Sequence, residues 1–597
     1  MRQTGLPMCY PPRRMRIERV LDQLGREAIH KALELEAPAV LRPTTDARHG
    51  DYQLNGVLPL AKKLGKNPRE LAEQVAALLR EQAAIEKAEV AGPGFVNLHL
   101  SDAWLAAQLT LMLSDTARDG VPESETRDRV VVDFSGPNIA KQMHVGHLRS
   151  TIIGDAMVRI LRFIGHEVTG DNHLGDWGTQ FGLLIVGMRE LGDAEALERE
   201  PIVELERVYK LASERAKTDS AFAEAARAEL AKLQNGDPDN TALWQRFVAV
   251  TRAELDKVYA RLDVHFDTWY GESFYNPLLA DVITLLKERG IAREDEGALC
   301  VFFQEHEGAP AELKKQKQPF IVQKKDGAFL YSTTDIATVR YRREVQKATR
   351  LMYVVDMRQA LHFRQLFSVA ELLGWGDVRM EHLGFGSVLG KDGKPLKTRD
   401  ASGRAITLAS LLDEAEERAL VPLREALKEG RMDLPEEALP EVARAVGIGA
   451  VKYADLHQNR SSDYMFDFDK MISFQGNAGP YLQYAYARVQ SIFRKGEVDP
   501  AKAANEIVLD TPQERELSRV LVRFGEVVHQ AADAGLPHLI TDHLYALAKA
   551  YSAFFEACPV LKAEEPARGS RIALCWLTAR QLKRGLNLLG IQTVERM

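Results

Sequence analysis

Cysteine is scarce in this chain: four in 597 residues, at positions 9, 300, 558 and 575. No two form a Cys-x-x-Cys pair, so the sequence encodes neither a zinc ribbon nor a disulfide framework. A reducing, cytoplasmic setting is the expectation. Long apolar runs are missing too. The longest, FGLLIVGM from Phe181, falls well short of the ~18 residues a membrane span needs and reads as core. The opening MRQTGLPMCYPPRRMR has charge with no apolar stretch behind it, which argues against a secretory signal. It reads as an unstructured lead, with Met15 a candidate start. A basic excess is lacking as well: the net charge is −7, whereas nucleic-acid binders usually show a positive balance. Any such partner would have to be met by local patches. Lysines and arginines crowd 313–325 and 340–343, and taken alone both runs read as solvated faces. No internal repeat or low-complexity tract is present.

The length exceeds one hydrophobic core, and about 150 residues per domain gives three or four units. Hydrophobic residues make up 45% and charged residues 27%, ordinary globular values that exclude bulk disorder. Apolar residues recur at helical spacing over 16–36 (Ile17, Val20, Leu21, Leu24, Ile29, Leu33). DYQLN (51–55) is a short strand. A second helix is predicted over 68–91, opened by Pro68 and closed by Gly92, and GFVNLHL (94–100) alternates as a strand does. This small α+β unit ends near 115, before a polar linker at 119–128. RVVVDF (129–134) is a continuous apolar strand of the buried parallel kind. A Gly/Pro/Asn loop, a helix over 147–164 and a returning segment HEVTGD make a strand–loop–helix–strand unit, the opening of a doubly wound nucleotide-binding sheet. A helical stretch at 194–262 is inserted, and strands are predicted at 298–303, 319–323, 328–331 and 351–355. Beyond 410 the pattern is helical; 539–556 carries the apolar stripe of a bundle.

The loop DFSGPNIAKQMHVGHLRS (133–150) holds the chemistry. His144 and His147 stand three apart at a helix start after a buried strand. Free N–H groups there bind phosphate, and imidazoles add hydrogen bonds to phosphate oxygens. Gly146 removes a side chain where a flat base can lie against backbone. A lone His-x-x-His is more often a cap than a site, but here strand, Pro-Asn turn, glycine and helix coincide.

HVGH resembles the HIGH signature of class I aminoacyl-tRNA synthetases. The longer string PNIAKQMHVGHLRSTIIGD is similar to its arginyl-tRNA synthetase version. So are NHLGDWGTQFG (172–182), YSTTDIATVRY (331–341), YVVDMRQALHF (353–363), DYMFDFDKM and GNAGPYLQYAYAR (463–488), GDYQLN and GPGFVNLHLS, and the terminal ERM, so the likeness spans nearly the whole chain. It implies an α/β fold: a Rossmann-like class I catalytic domain (125–410), an N-terminal α+β domain contacting tRNA (15–118) and a C-terminal all-α anticodon-binding bundle (411–597). The implied activity is ATP-dependent activation of L-arginine and its transfer to the 3′-terminal adenosine of its tRNA, by a cytoplasmic monomer that contacts no membrane.

In the family pattern a KMSKS loop grips the pyrophosphate. Here LGKDGKPLKTR (389–399) stands in its place and departs from it, with Thr398 where the second lysine would be. Lys391, Lys394, Lys397 and Arg399 are the available cations for the developing negative charge; read alone, Asp-Gly between lysines is an ordinary hairpin turn. The resemblance implies His144, His147 and Lys397 as catalytic, and Lys141, Gly146, His147, Gly175, Asp176, Lys391 and Lys394 as ATP-binding. Arginine, always cationic and ending in a planar fork, needs carboxylates and a flat surface. Tyr331 and Asp335, four apart, share a face in the first turn of a helix. By resemblance Asn138, His144, Tyr331, Asp335 and Gln359 line the arginine pocket, with Asp133 beside it. Asn55 and Phe95 in the N-terminal unit, and Tyr481, Gln483, Tyr484 and Arg488 in the bundle, are the implied tRNA contacts, with at least one tyrosine of the 481–486 group expected in the core. Mg²⁺ is expected with ATP, without zinc or a dedicated protein cage. Three rival readings differ in what they require of the sequence. A cysteinyl synthetase would bring clustered cysteines. A non-catalytic tRNA-binding paralogue would have lost a signature histidine or the pocket carboxylate. A small-molecule adenylating ligase would leave the bundle without a purpose.

Overall fold

The computed structural model describes residues 16–44, 47–396, 407–432, 434–503 and 506–597. Cys9 and Met15 lie outside them, as do Lys397, Thr398 and Arg399.

Helices Ile17–Leu33 and Pro68–Leu79 cover a four-stranded antiparallel sheet with strand order β1-β2-β4-β3. Its strands are β1 (Leu41–Pro43), β2 (Tyr52–Leu54), β3 (Ile85–Ala91) and β4 (Phe95–Leu100). The helix predicted over 68–91 is therefore half right. Asn67 caps its start by accepting from Arg69 N, and Pro68 occupies the first turn. The helix ends at Leu79, and 85–91 is a strand paired with β4 from Ile85↔Leu100 to Ala91↔Phe95. The Gly-Pro-Gly at 92–94 is a hairpin turn rather than a helix stop. Glu86, Lys87 and Glu89 give the strand a charged face that mimics an exposed helix.

The central sheet is parallel, with order β11-β10-β5-β6. β5 (Arg129–Asp133) and β6 (Glu167–Asp171) flank helix Val145–Phe163, here called the signature helix. Val130, Val131 and Val132 are buried, as a two-sided parallel strand requires. The signature helix presses on the end of β5 so closely that a Cβ at Gly154 would lie 2.2 Å from Phe134 Cγ; only glycine fits there. Helices from Gln180–Leu191 to Pro238–Arg261 form the insertion. A three-stranded antiparallel sheet follows: β7 (Arg293–Asp295), β8 (Ala298–Val301) and β9 (Phe320–Gln323). A further strand predicted at 328–331 is absent among the described residues. Phe329 makes one bridge to Gln323, then Thr333 Oγ1 accepts from Leu330 N and opens helix Tyr331–Glu344. β10 (Arg350–Tyr353) and β11 (Arg379–His382) complete the parallel sheet. Because β10 and β6 lie on opposite sides of β5, the chain switches direction at the carboxyl end of β5, where open α/β sheets bind ligands.

β12 (Val388–Leu389) pairs in parallel with β13 (Tyr464–Met465) and ties the catalytic unit to the bundle. The bundle runs through helices Leu408–Lys428, Leu439–Leu456, Gly479–Lys495, Pro512–Leu521, Phe524–Ala534, His538–Ala557 and Ala567–Leu588. Leu544, Leu547, Ala548, Tyr551 and Phe554 of the expected stripe are buried. The N-terminal unit docks on the bundle through Asp51–Arg519 and Asp102–Arg515 ion pairs and a Tyr52–Glu526 hydrogen bond.

Candidate active site

The loop after β5 is pinned through its backbone. Ser135 N donates to Ser150 Oγ (2.8 Å), whose hydroxyl donates to Val354 O (2.6 Å), and Gly136 N donates to Asn172 Oδ1 (3.1 Å). Ser135 and Ala140 hold positive φ angles of 73° and 62°, a strain the surrounding bonds must enforce. The loop delivers His144, in extended conformation, as the N-cap of the signature helix.

The two histidines cap one another. His144 Nδ1 accepts from Gly146 N, and His147 Nδ1 accepts from His144 N, both at 3.1 Å. Their ring centroids are 4.0 Å apart. A ring nitrogen that accepts from a backbone N–H is unprotonated, so each neutral ring carries its proton on Nε2 and can donate it outward. Burial, and then His144, lowers His147 to about 3; burial, and then Lys141, lowers His144. Both imidazoles are thus neutral donors at physiological pH. A Cβ at Gly146 would sit 2.8 Å from His144 Cε1, so this glycine keeps the cap geometry and leaves the helix start open. Lys141 is exposed, with Nζ 5.8 Å from the Tyr209 ring centre.

Gly175 and Asp176 need correcting as ATP ligands. Gly175 is buried and lies against Asn138: a Cβ there would meet Asn138 Oδ1 at 2.1 Å, and Ile139 N donates to Gly175 O. Its backbone supports the exposed Asn138. Asp176 is buried with both carboxylate oxygens engaged, accepting from Ser273 N (2.8 Å) and Ser273 Oγ (2.6 Å). It holds the 271–273 turn in place, with no carboxylate oxygen left unpartnered.

That turn brings in Glu272, which sequence reasoning missed. Burial, then the Asp176 and Asp335 carboxylates, raise it to about 8. Its charge also acts on Tyr331, raised first by burial and then by Glu272. Tyr331, 67% exposed, opens helix Tyr331–Glu344 with Asp335 one turn on. Asp335 Oδ2 lies 2.6 Å from His362 Nε2, a second residue given no role from sequence. Gln359 is exposed just before helix Ala360–Leu372. Among the described residues no lysine or arginine pairs with Asp176, Glu272 or Asp335. These acids, a phenol face and the Asn138 amide suit a guanidinium.

Asp133 is already engaged. It sits between Tyr353 and Asp171 at the sheet's carboxyl end, and Arg342 Nη2 donates to both Asp133 Oδ2 and Asp171 Oδ2 at 2.7 Å. Arg342 is 1% exposed, so the 340–343 run is not wholly a solvated face, although Arg340 and Arg343 are surface pairs with Glu344 and Asp377. Asp133, Asp171 and His173 could hold a cation by spacing, but the Arg342 guanidinium already serves both aspartates. Lys391 and Lys394 flank a tight turn after β12, with Gly390 N donating to Lys394 O (2.8 Å) and Gly393 at φ +70°.

In the bundle, Gln483 also needs correcting as a tRNA contact. It is fully buried, with Nε2 donating to Ala445 O (3.0 Å) and Gln592 O (2.7 Å). Tyr486 is the buried tyrosine, bonded to Glu595. Tyr481 is half-buried near Tyr545, Tyr484 is exposed, and the Arg488 guanidinium lies 4.4 Å over the Phe555 ring. Tyr484, Arg488 and Phe555 line a groove whose charged residues, Arg431, Arg488, Arg494, Lys495, Lys562 and Arg596, are all cationic. Asn55 and Phe95 are half-buried at one end of the N-terminal sheet, beyond the Leu54↔Val96 pair.

A parallel sheet whose first strand leads into a histidine-capped helix start, followed by a C-terminal helical bundle, is the architecture of a class I aminoacyl-tRNA synthetase. Family models match along its length: an arginyl tRNA synthetase N-terminal domain at 18–100, the catalytic domain of class I (R) tRNA synthetases at 108–468, and a DALR anticodon-binding domain at 482–597. It is 46% identical to an arginine–tRNA ligase of Hahella chejuensis, over 98% of this chain and 100% of the relative. Its fold superposes on arginyl-tRNA synthetases from Plasmodium falciparum (TM-score 0.82, 28% identity, 97% and 99% coverage) and Thermus thermophilus (TM-score 0.80, 25% identity, 97% and 100% coverage). The chain belongs to the arginyl-tRNA synthetase family.

Proposed function

We propose that the chain activates L-arginine with ATP and passes it to tRNA specific for arginine, with the residues above in the following roles. The observation that carries the specificity is Glu272, a carboxyl pushed to about 8 beside two further acids, which an arriving guanidinium would relieve. Tyr331 offers its face, and Asp335 and Glu272 offer acceptors for the planar fork. Asn138, Gln359 and His144 lie towards the α-carboxylate and amino end. Asp133 acts from the rim, its charge shared with Arg342.

No covalent enzyme nucleophile is required. The arginine carboxylate attacks the α-phosphorus and pyrophosphate leaves. The terminal 2′-OH of tRNA then attacks the adenylate carbonyl carbon, loses its proton, and AMP leaves. The Nε2–H groups of His144 and His147 donate to phosphate oxygens as charge builds on them, and the cations of Lys391, Lys394 and, by the family pattern, Lys397 are assigned to the leaving pyrophosphate; positioned donors of this kind supply the rate. Lys141 adds charge beside the imidazoles, and Gly146 leaves room for the adenine. Mg²⁺ accompanies the ATP phosphates, since Arg342 already neutralises the one candidate cation cluster among the described residues; no zinc is required.

The basic groove with Tyr484 and Phe555 as stacking faces supports anticodon reading by the bundle, with Tyr481 at its flank. Asn55 and Phe95 contact the tRNA elbow. The described cysteines, Cys300, Cys558 and Cys575, are buried free thiols, which supports a cytoplasmic enzyme, working as a monomer.

Arginine-dependent ATP–pyrophosphate exchange, with and without tRNA specific for arginine, tests the reading. Exchange only with tRNA establishes both the reaction and tRNA binding before activation. Exchange without tRNA keeps the reaction and removes that order. Silence in a folded protein that still binds tRNA favours a non-catalytic paralogue.

A further inference from the structure

The proposed reaction leaves the buried Arg149–Asp455 ion pair unused. Arg149, two residues after His147 on the signature helix, and Asp455, near the end of helix Leu439–Leu456, are each 1% exposed. Arg149 Nε approaches Asp455 to 3.1 Å. Its Nη1 donates to two backbone carbonyls, Gly386 O at 2.8 Å and Ser462 O at 3.0 Å. The rings of Tyr464 and Phe385 flank the guanidinium at 5.1 and 5.9 Å. Gly386 and Ser462 lie two residues before β12 and β13, and the two segments are so close that a Cβ at Gly386 would fall 2.7 Å from Ser462 O. β12 runs directly into the lysine turn at 390–394.

A buried ion pair is a poor source of net stability, because desolvation offsets its attraction. Its useful property is direction: the guanidinium is a rigid fork that fixes several acceptors at once. One end of Arg149 is fixed beside the imidazoles, and the other grips the root of the strand that carries the lysines. Lys452 and Asp155 provide a contrast on the same two helices. Lys452 is also 1% exposed and donates to Gly590 O at 2.6 Å, and Asp155 is bonded to Arg159. That cluster joins the signature helix to the bundle without touching β12.

We propose that Arg149, oriented by Asp455, is a positioning residue for adenylate formation: it sets the lysine turn against the His144–His147 helix start. It touches no substrate. The proposal rests on the reading above that the lysine turn acts on the leaving pyrophosphate.

A mutant cycle on the full-length chain tests it, reading kcat and KM in ATP–pyrophosphate exchange with saturating tRNA. Arg149→Lys keeps the charge but cannot span three acceptors. It should lower kcat about tenfold or more with the arginine KM changed by no more than about twofold, the pattern of misplaced catalytic groups. Lys394→Ala should reduce kcat in the native background and have little further effect beside Arg149→Lys, because the turn is already displaced. Lys452→Met, tested in the same way, should combine multiplicatively with Lys394→Ala. Should the Arg149→Lys variant fail to give a cooperative thermal transition, Asp455→Asn carries the same cycle. Multiplicative effects for the Arg149 or Asp455 variant, matching Lys452→Met, would reduce the pair to scaffolding and overturn the proposal. A fully active Lys394→Ala single variant would instead remove the lysine-turn reading, and this proposal with it.

Discussion

The carboxyl of Glu272 should make arginine binding depend on pH in a way that one substitution abolishes. In the free protein burial and two neighbouring acids hold it at about 8, so at pH 7 roughly nine molecules in ten carry the proton. A bound guanidinium favours the carboxylate, so arginine binding must expel that proton. Affinity should therefore rise about tenfold per pH unit below 8, equivalent to ~1.4 kcal/mol per unit, and level off above it. The free fold should behave conversely. A carboxyl whose folded value lies above its unfolded one contributes stability that is complete below pH 4.5 and is lost as pH rises through about 8. Arginine should thus raise the melting temperature more at pH 8.5 than at pH 6.5. Glu272→Gln removes both effects, leaving weaker and nearly pH-independent binding. The assay is calorimetric titration of arginine between pH 6 and 9, repeated in buffers of different ionisation enthalpy so that proton release is counted directly. A flat affinity profile for the native protein, or an unchanged slope in Glu272→Gln, would refute the reasoning and place Glu272 outside the pocket.

The remaining expectations are simpler. Replacing His147 by Ala removes a donor aimed at developing phosphate charge and should cut adenylate formation by about 10²–10³ with tRNA affinity unchanged; normal exchange rates would take His147 out of the site. Nitrogen NMR of His147 should report the neutral Nε2–H tautomer down to pH 5, given its depression to about 3; titration near 6.5 would contradict the mutual cap. Asp335→Ala should raise the arginine KM by at least 10², from the ~3–5 kcal/mol cost of leaving a buried charge unpaired, and His362→Asn should raise it less while sparing the ATP KM. Tyr484→Ala should weaken tRNA binding by about 1–3 kcal/mol, the worth of one stacked base, without altering arginine affinity. Gln483→Ala should instead lower thermal stability.

The fold was legible wherever local pattern and tertiary role agree. The triple valine of β5, the helix start at His144 and the stripe ending at Phe554 each state their environment in their own spacing. Legibility failed where a charged face suits two structures equally. Ile85–Ala91 loses its strict alternation because a register shift between Ile85 and Lys87 puts the buried Ile85 and Ala88 three residues apart, a helix-like spacing, and only the Gly-Pro-Gly turn could have separated hairpin from helix. At 328–331 the deciding group was Thr333, whose hydroxyl caps a helix from three residues downstream. The apolar residues before it carried no sign of this.

The site was legible to a similar degree, for an electrostatic reason. His144, His147, Tyr331 and Asp335 advertise themselves because their spacing is local: a mutual cap at i,i+3 and a shared helical face at i,i+4. Glu272, His362 and Arg342 act across long sequence separations, so nothing beside them betrays their partners. Gly175 and Asp176 show the opposite error: the resemblance implies ATP contacts, while the packing uses both for orientation, one beneath Asn138 and the other on Ser273. The common factor is where the balancing charge comes from. Asp133 and Asp171 receive theirs from Arg342 within the chain, so that cluster is quiet. Glu272 and Asp335 have no lysine or arginine partner among the described residues; Glu272 keeps its proton and Asp335 lies beside His362, which leaves the cluster open to a cationic ligand. An acid cluster left without its cation by a fold that elsewhere pairs such groups is a stronger pointer to a guanidinium ligand than any single residue in the motif.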